Sequence, residues 1–284
     1  MEMANPRMIY AIAKKEFMDN IRNRWVIILS ILLFLLILIF SYVAAGQAGG
    51  DDVVGDMRNT VTGLLGISPL LIPLIAVILG FNTIAGEAES GSLMVVLSYP
   101  IRRIEVLVGK VLGLGSVIAF STIIGFGSGG VIILGANGGE YWLEYLVFIG
   151  LTIFLGFIFL SLTIFVSSFA KKRIHAIGGA ILIFFWGMII GTVLFAVLLG
   201  SGYSFNDIGA WPDWAFYSAF FSPSDLHQTA VQVEFGYTYF EISDFIRIDL
   251  PGLLQNMAIL MTVHIIWFFV PFGLAYYFFR RRDI

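Results

Sequence analysis

The chain has 284 residues, of which 59% are hydrophobic and 12% are charged, and its mean hydropathy is +0.93. Soluble globular proteins average about 45–50% apolar and about 25% charged residues, so this composition excludes a soluble enzyme, a disordered chain and a collagen-like fibre. The net charge is −3 and there are no cysteines, which excludes disulfides, thiolate zinc sites and a cysteine nucleophile. The composition therefore indicates an integral membrane protein.

An amphipathic helix is predicted over residues 1–24, before the first long apolar stretch. Ile9, Ala13, Phe17 and Ile21 recur every four residues, and the charged residues of this region lie off that stripe. This spacing places apolar side chains on one face of a helix. A helix of this kind with bases on its polar face lies in the membrane interface. The alternative is a charged anchor that only sets topology.

Residues 25–284 are predicted to form a domain of six transmembrane helices, because about 20 apolar residues in a helix span the hydrocarbon core. The apolar stretches are 25–45, 67–85, 111–136, 143–170, 176–200 and 254–279. A transmembrane barrel would instead show short segments that alternate between apolar and polar residues. The predicted fold class is therefore all-α integral membrane.

The basic residues predict the orientation of these spans. Fourteen of the 16 Lys and Arg residues lie on one side of the predicted spans, and the other side holds only Arg58 and Arg247. Short loops rich in Lys and Arg stay in the cytoplasm. The sequence therefore predicts a multi-pass protein of the cell (cytoplasmic) membrane, with the N- and C-termini in the cytoplasm.

The longest internal segment on the basic side is 86–110, between the second and third spans. Gly91 and Pro100 bracket about two turns of apolar helix, with Ser90 or Ser92 placed to cap it. The flanking charged residues are Glu87, Glu89, Arg102 and Arg103. An exposed apolar helix rimmed by charges is typical of a docking element. Packing of this helix on its own bundle is the alternative.

The outer region 201–253 is long for a connection and rich in aromatic residues. Tyr, Trp and Phe side chains at this density suit the membrane interface. A helix start is predicted near residue 222. Ser222 supplies the capping hydroxyl, Pro223 lies in the first turn, and Asp225 is an acid near the positive helix end. We expect short helices that form a lid over the bundle.

The chain carries none of the catalytic motifs that would make it an enzyme. Gly109-Lys110 is followed by Val111 and lacks the preceding glycine of a phosphate-binding loop. A histidine pair for zinc proteolysis and a Gly-x-Ser-x-Gly nucleophile turn are also missing. We therefore predict a non-catalytic chain without a metal site.

Glycine pairs four residues apart predict close packing between helices in the membrane. The pairs are Gly109 with Gly113, Gly125 with Gly129, and Gly187 with Gly191.

Polar residues within or beside the spans are candidates for a translocation path. They are Asn82, Asn256 and His264. An interhelical hydrogen bond is the alternative role for each of them. Charged residues are scarce in the span interiors, and no pair of Gly/Pro-interrupted helices is evident, which argues against an ion-coupled carrier.

These features together resemble the type-2 ABC transporter permeases over essentially the whole chain. The matching residues are Gly86, Glu87, Glu89, Gly91, Leu97, Ser98, Pro100, Arg102, Gly109 and Lys110, with Lys15-Glu16-Phe17 and Asn23-Arg24-Trp25 in the N-terminal segment. Within that family, length and motifs look closest to the permeases of nitrous-oxide-reductase copper-maturation transporters and their archaeal relatives. The resemblance implies a type-2 ABC exporter-like transmembrane domain.

The resemblance also implies what this domain does. It would be the permease subunit of an ATP-driven transporter, expected to be an exporter, in which separate ATPase subunits hydrolyse ATP. ATP and Mg would bind those subunits, and this chain would hold no cofactor of its own. The segment 86–110 would couple the ATPase to the bundle, and 201–253 would form the extracellular gate.

The implied partners are two copies of a cytoplasmic ABC ATPase, a second permease copy that completes a homodimer, and membrane lipid. An extracellular accessory protein is a further possible partner, and no nucleic acid is expected. The residues implied in ATPase docking are Glu87, Glu89, Ser92, Leu93, Met94, Val96, Leu97, Ser98, Arg102, Arg103, Lys171, Lys172 and Arg173. Two alternatives remain: a mechanical relay to an extracellular partner without transport, and an ATP-independent carrier or channel.

Overall fold

The computed structural model describes residues 5–46, 61, 63–137, 141–203, 211–243 and 246–282. Arg58, predicted on the outer side, lies outside the described residues, as does 204–210 within the predicted gate region. The helices are α1 Pro6–Asn20, α2 Arg24–Gly46, α3 Ser68–Gly80, α4 Ala85–Glu89, α5 Ser92–Leu97, α6 Arg103–Asn137, α7 Trp142–Phe169, α8 Arg173–Phe184, α9 Trp186–Gly200, α10 Asp213–Tyr217, α11 Pro223–Glu234 and α12 Met257–Arg281. The strands are β1 Tyr239–Ser243 and β2 Ile246–Asp249.

Within the described residues, five helices are long and apolar enough to cross a membrane, and the number is six if the bent pair of α8 and α9 is counted as one span. This confirms the predicted all-α membrane fold. Two details differ from the prediction. The third span, α6, begins at Arg103 rather than at residue 111. The fifth span bends by 51° where α8 meets α9, at Phe185.

The outer region contains a β-hairpin as well as the expected short helices. Strands β1 and β2 pair antiparallel, with Tyr239 opposite Asp249 and an irregular register near Ser243. The predicted helix start is confirmed: Ser222 caps α11, and its hydroxyl oxygen accepts a hydrogen bond from the Asp225 backbone N–H at 3.3 Å.

Helix α7 lies at the centre of the bundle, packed against α3, α6, α11 and α12. Its side chains Leu155, Phe159 and Leu160 are fully or almost fully buried in the main apolar core. Hydrogen bonds add to this packing: the Tyr145 hydroxyl donates to the Phe126 carbonyl of α6 at 2.6 Å.

The N-terminal helix α1 packs against α6 through the first predicted glycine pair. A Cβ atom at Gly113 would lie 2.5 Å from the Ala13 carbonyl oxygen, and one at Gly109 would lie 2.7 Å from the Ile12 Cβ. The apolar side of α1 therefore rests on α6, not on acyl chains alone. Small residues allow this close approach because no side chain separates the two backbones.

The other glycine pairs have different environments. A Cβ at Gly129 would lie 2.5 Å from a methyl carbon of Ile37, so Gly125 and Gly129 form the contact between α6 and α2. A Cβ at Gly187 would lie 3.0 Å from the Ser222 hydroxyl oxygen, so Gly187 packs against the start of α11, whereas Gly191 meets no described atom within 4 Å of its Cβ position.

Replacing Gly113 by valine is expected to detach α1 from α6 and to destabilise the protein by about 1–3 kcal/mol, the range for overpacking a tight contact. Thermal unfolding of the purified protein measures the loss. Because the chain lacks cysteine, a single Ile12→Cys reporter also shows whether α1 has become accessible to a thiol reagent.

The matched control is Gly127→Val on the same helix, where the Cβ position meets no described atom within 4 Å. Equal effects of the two substitutions would show that α1 does not depend on the Gly113 contact.

Candidate functional site

The short helix α5 projects from the basic side of the bundle and is preceded by a sharp turn at Gly91. The φ angle of Gly91 is +76°, a left-handed conformation that glycine adopts without steric cost. The prediction that Ser90 or Ser92 caps α5 is wrong, because Gly91 occupies the capping position. The two serine hydroxyls instead donate to the Glu87 carbonyl, at 3.2 and 3.3 Å.

Helix α5 has one buried and one exposed face. Leu93 is fully buried in the core, whereas Met94, Val95 and Tyr99 are 58%, 62% and 62% exposed. Ser98 is exposed beside them. We call Met94 and Val95, together with Ser98 and Tyr99 directly after the helix, the outer face of α5.

The predicted docking residues of α5 therefore do not form one surface. Leu93 points inward, and Val96 and Leu97 are partly buried against the core. Ser92 is exposed at the start of the helix. The inward residues fix α5 to the bundle, and the outer face remains accessible to a partner.

A buried ion triad attaches α4, the helix before α5, to the bundle. The Lys110 ammonium donates to Glu16 Oε1 at 2.8 Å and to Glu87 Oε1 at 2.6 Å. The Lys110 side chain is 2% exposed. The triad joins α1, α4 and α6, so the carboxylate of Glu87, predicted to dock the ATPase, is engaged inside the chain.

Two other predicted docking residues, Glu89 and Arg173, contact each other. The Arg173 backbone N–H donates to Glu89 Oε2 at 2.7 Å, which links α4 to the start of α8. The structure thus brings together the two loops that the sequence assigned to ATPase docking. Lys171 and Lys172 are exposed beside this contact.

Arg103 binds the end of the last helix. Its guanidinium donates to three carbonyl oxygens at the end of α12, those of Phe279, Arg280 and Arg282, at 2.6 to 2.9 Å. A cation at this end satisfies carbonyls that have no partner within the helix. The backbone N–H of Arg102 donates to Glu105 at 3.0 Å.

Arg282 binds the end of α7 in the same manner. Its guanidinium donates to the carbonyl oxygens of Ser167, Ser168 and Ala170, at 2.9 to 3.3 Å. The start of α6, the end of α12 and the end of α7 are therefore connected on the basic side.

Ser167 connects the break between α3 and α4 to α7. Its hydroxyl oxygen accepts from the backbone N–H groups of Ile84 and Ala85, at 3.1 and 2.9 Å, and its hydrogen goes to the Phe81 carbonyl at 2.8 Å. A serine in an apolar span gives no signal of this role in the sequence.

A cavity of about 470 Å³ opens beside the triad. Its lining comprises Glu16, Asn20, Asn23, Trp25, Ile78, Leu79, Phe81, Asn82, Thr83, Glu87, Leu114 and Arg173. It therefore lies between α1, the start of α2, the end of α3, α4, α6 and the start of α8.

The three residues proposed for a translocation path lie apart. Asn82 lines this cavity on the basic side. Asn256 caps the opposite, outer end of α12, where its side chain accepts from Ala258 and Ile259 backbone N–H groups. His264 is buried further along α12, with Nδ1 2.8 Å from the Leu260 carbonyl and its ring stacked on Phe154.

His227, in α11, is fully buried with Nε2 3.4 Å from the Ser68 hydroxyl. Burial lowers the pKa of His227 to about 3, so the imidazole is neutral at physiological pH. Among the residues that the structure describes, no group of three or more His, Asp or Glu side chains is placed to hold a metal ion.

A bundle of membrane-length helices with a small apolar helix on its basic side defines the chain as a multi-pass membrane protein. Residues 10–284 match the family described as ABC-2 family transporter protein, and the chain belongs to that family. The fold prediction and the resemblance are both confirmed by this match.

Two curated relatives support the family assignment. The chain is 33% identical over 294 residues to the probable ABC transporter permease protein NosY of Pseudomonas aeruginosa, covering 98% of this chain and 99% of the relative. It is 30% identical over 282 residues to the protein of the same name from Stutzerimonas stutzeri, covering 96% and 98%. The chain is thus an ABC-2 permease subunit, and its family implies partner ATPase subunits.

Proposed function

We propose that this chain is the membrane-spanning subunit of an ATP-driven exporter, with separate ATPase subunits docked on its basic, cytoplasmic side. The outer face of α5 is the observation that carries the proposal. Met94 and Val95 expose apolar surface outside the bundle, on the side that holds most of the Lys and Arg residues. Exposed apolar patches with a charged rim mark protein interfaces.

The attachment of α5 supports a role in transmitting force. The adjoining helix α4 is held to α1 and α6 by Glu87 in the triad, and to α8 by Glu89. A displacement of α5 by the ATPase would therefore move these helices together. ATP and Mg would bind the ATPase subunits, and this chain would contribute no catalytic group.

A second copy of the chain is proposed to cover the fifth span. Of the residues in α9, only Leu198 is buried, whereas Met188 and Val193 are 69% and 56% exposed. A homodimer through this helix would bring two ATPase copies together. The outer region would then form the gate. It reaches down between the helices, because the indole N–H groups of Trp186, at the start of α9, and of Trp267, in the middle of α12, donate to the carbonyls of Phe221 and Phe220.

The two alternatives make different predictions. A mechanical relay would use the same docking helix and outer region without substrate crossing. An ATP-independent carrier needs no ATPase. The bend at Phe185 is the one break of this kind among the described helices, whereas a carrier built from inverted repeats has a pair of broken helices in corresponding halves. The scarcity of charge within the spans also argues against ion coupling.

The test is to co-express the tagged chain with ABC ATPase subunits from the same source, purify the complex in mild detergent and measure ATP hydrolysis before and after reconstitution. We expect a stoichiometric complex whose ATP turnover depends on the permease. Purification of the chain without an ATPase, under conditions that keep it folded, would contradict the proposal and favour the carrier.

A further inference from the structure

The cavity beside the triad lies at the depth of lipid headgroups. Trp25 is the second residue of α2, Leu79 is near the end of α3, and Arg173 begins α8. All three line the cavity, so it is placed where these spans reach the membrane surface. Trp25 is 66% exposed, and Trp is enriched at this depth. The volume of about 470 Å³ is within the range of small-ligand sites.

Two residues of the cavity lining carry an acceptor oxygen that has no hydrogen-bond donor among the described residues. Asn82 Oδ1 and Glu87 Oε2 are buried and, within the described part of the chain, neither accepts a hydrogen bond. A buried acceptor left without a donor costs free energy. Glu16 is paired with both Lys110 and Lys15, at 2.8 and 3.7 Å, whereas Glu87 uses only Oε1 in the triad. A primary ammonium, with three N–H donors and one positive charge, fits this environment.

The same cavity also presents a cation. The Arg173 guanidinium carbon lies 5.5 Å from the centre of the Phe81 ring, and both residues line the cavity. A guanidinium is well suited to phosphate, because its planar donors match the phosphate oxygens. Acceptor oxygens and a guanidinium in one cavity therefore match a zwitterion that carries both ammonium and phosphate.

We infer that this cavity binds the headgroup of a phospholipid with a primary ammonium, of the phosphatidylethanolamine class. The ammonium is placed at Glu87 and Asn82, and the phosphate at Arg173. The apolar side chains of Ile78, Leu79 and Leu114 line the remainder and suit the glycerol and the first acyl carbons. Phosphatidylcholine has no N–H donor on its nitrogen, and phosphatidylglycerol has no cation, so neither satisfies both parts of the site.

The first test compares headgroups on the purified full-length chain without an ATPase. The protein in detergent is titrated with dioleoyl phosphatidylethanolamine, phosphatidylcholine or phosphatidylglycerol, and bound lipid is counted by native mass spectrometry. We expect about tenfold tighter retention of phosphatidylethanolamine, the effect of one charge-assisted hydrogen bond. Equal retention of the three lipids would overturn the inference.

The second test removes the cation that is assigned to the phosphate. Arg173→Gln is expected to weaken phosphatidylethanolamine retention about tenfold, because it removes the charge-assisted contact to phosphate. The matched control is Lys172→Gln, the neighbouring exposed base that does not line the cavity. Equal retention in both variants would contradict the phosphate assignment.

Asn82→Ala removes the ammonium acceptor with a smaller side chain, which adds no atom to the packing around Gly86. We expect this variant to lose much of the preference for phosphatidylethanolamine over phosphatidylcholine. An unchanged preference would contradict the ammonium assignment.

A soluble ligand with the same chemistry is distinguished by competition with O-phosphoethanolamine. Displacement of the lipid by micromolar O-phosphoethanolamine would overturn the lipid assignment. Retention of the lipid at millimolar competitor would support it.

Discussion

Replacing Lys110 by methionine is expected to lower the free energy of unfolding by about 3 kcal/mol, the lower end for breaking a buried ion pair. The substitution leaves the carboxylates of Glu16 and Glu87 close together without their shared cation. The lower end of the range for a buried ion pair applies because the Glu87 side chain is 21% exposed, so water can partly solvate its carboxylate. Thermal or denaturant unfolding of the purified protein in detergent measures the change.

The control for this substitution is Lys14→Met, which removes an exposed base from α1. Surface charges of this kind contribute little to stability, so we expect almost no change. A triple variant, Glu16→Gln, Glu87→Gln and Lys110→Met, removes all three charges and is expected to recover part of the loss. If Lys110→Met were as stable as Lys14→Met, the triad would not hold α1 and α4 to α6.

The membrane-length helices were predictable because they depend on local composition. Apolar runs of sufficient length predicted the crossings, and Gly109 with Gly113 predicted a close helix contact, although not its partner α1. The bend at Phe185 was not predictable, because 176–200 contains no proline and no charged residue, and its glycines suit helix packing equally well. The hairpin of β1 and β2 was also missed, since its aromatic residues suited interfacial helices equally well.

The candidate site was predictable in position but not in orientation. Residues 93–97 are Leu-Met-Val-Val-Leu, so every side chain is apolar and no hydrophobic period distinguishes the inner from the outer face. Only the packing of Leu93 into the core decides that Met94 and Val95 point outward.

The triad was missed because Lys110 lies close to the other bases of the basic side and was interpreted as a topology signal. A clue was present in the sequence. Lys110 lies between Gly109 and Gly113, and a glycine pair of this spacing marks a helix face that packs against a neighbour. A lysine at such an interface requires a buried partner, which a search for acids in α1 would have found in Glu16.

Substituting aspartate for both Met94 and Val95 is expected to abolish co-purification of the ATPase. Truncation of a central interface residue costs about 2 kcal/mol or more, so two buried charges would weaken binding at least about thirtyfold. The fold should survive, because both side chains already lie outside the bundle. Bound ATPase, the size-exclusion profile and thermal unfolding are measured on the same preparation.

Two comparisons separate loss of docking from loss of fold. Met94→Leu with Val95→Ile keeps the outer face apolar and is expected to retain the ATPase. Leu93→Asp introduces a charge into the core and is expected to unfold the protein, because burial of an unpaired carboxylate is strongly unfavourable. If the Met94 and Val95 aspartate variant kept the ATPase at the wild-type ratio, α5 would not be the docking helix, and the exposed bases Lys171 and Lys172 would become the principal candidates for the contact.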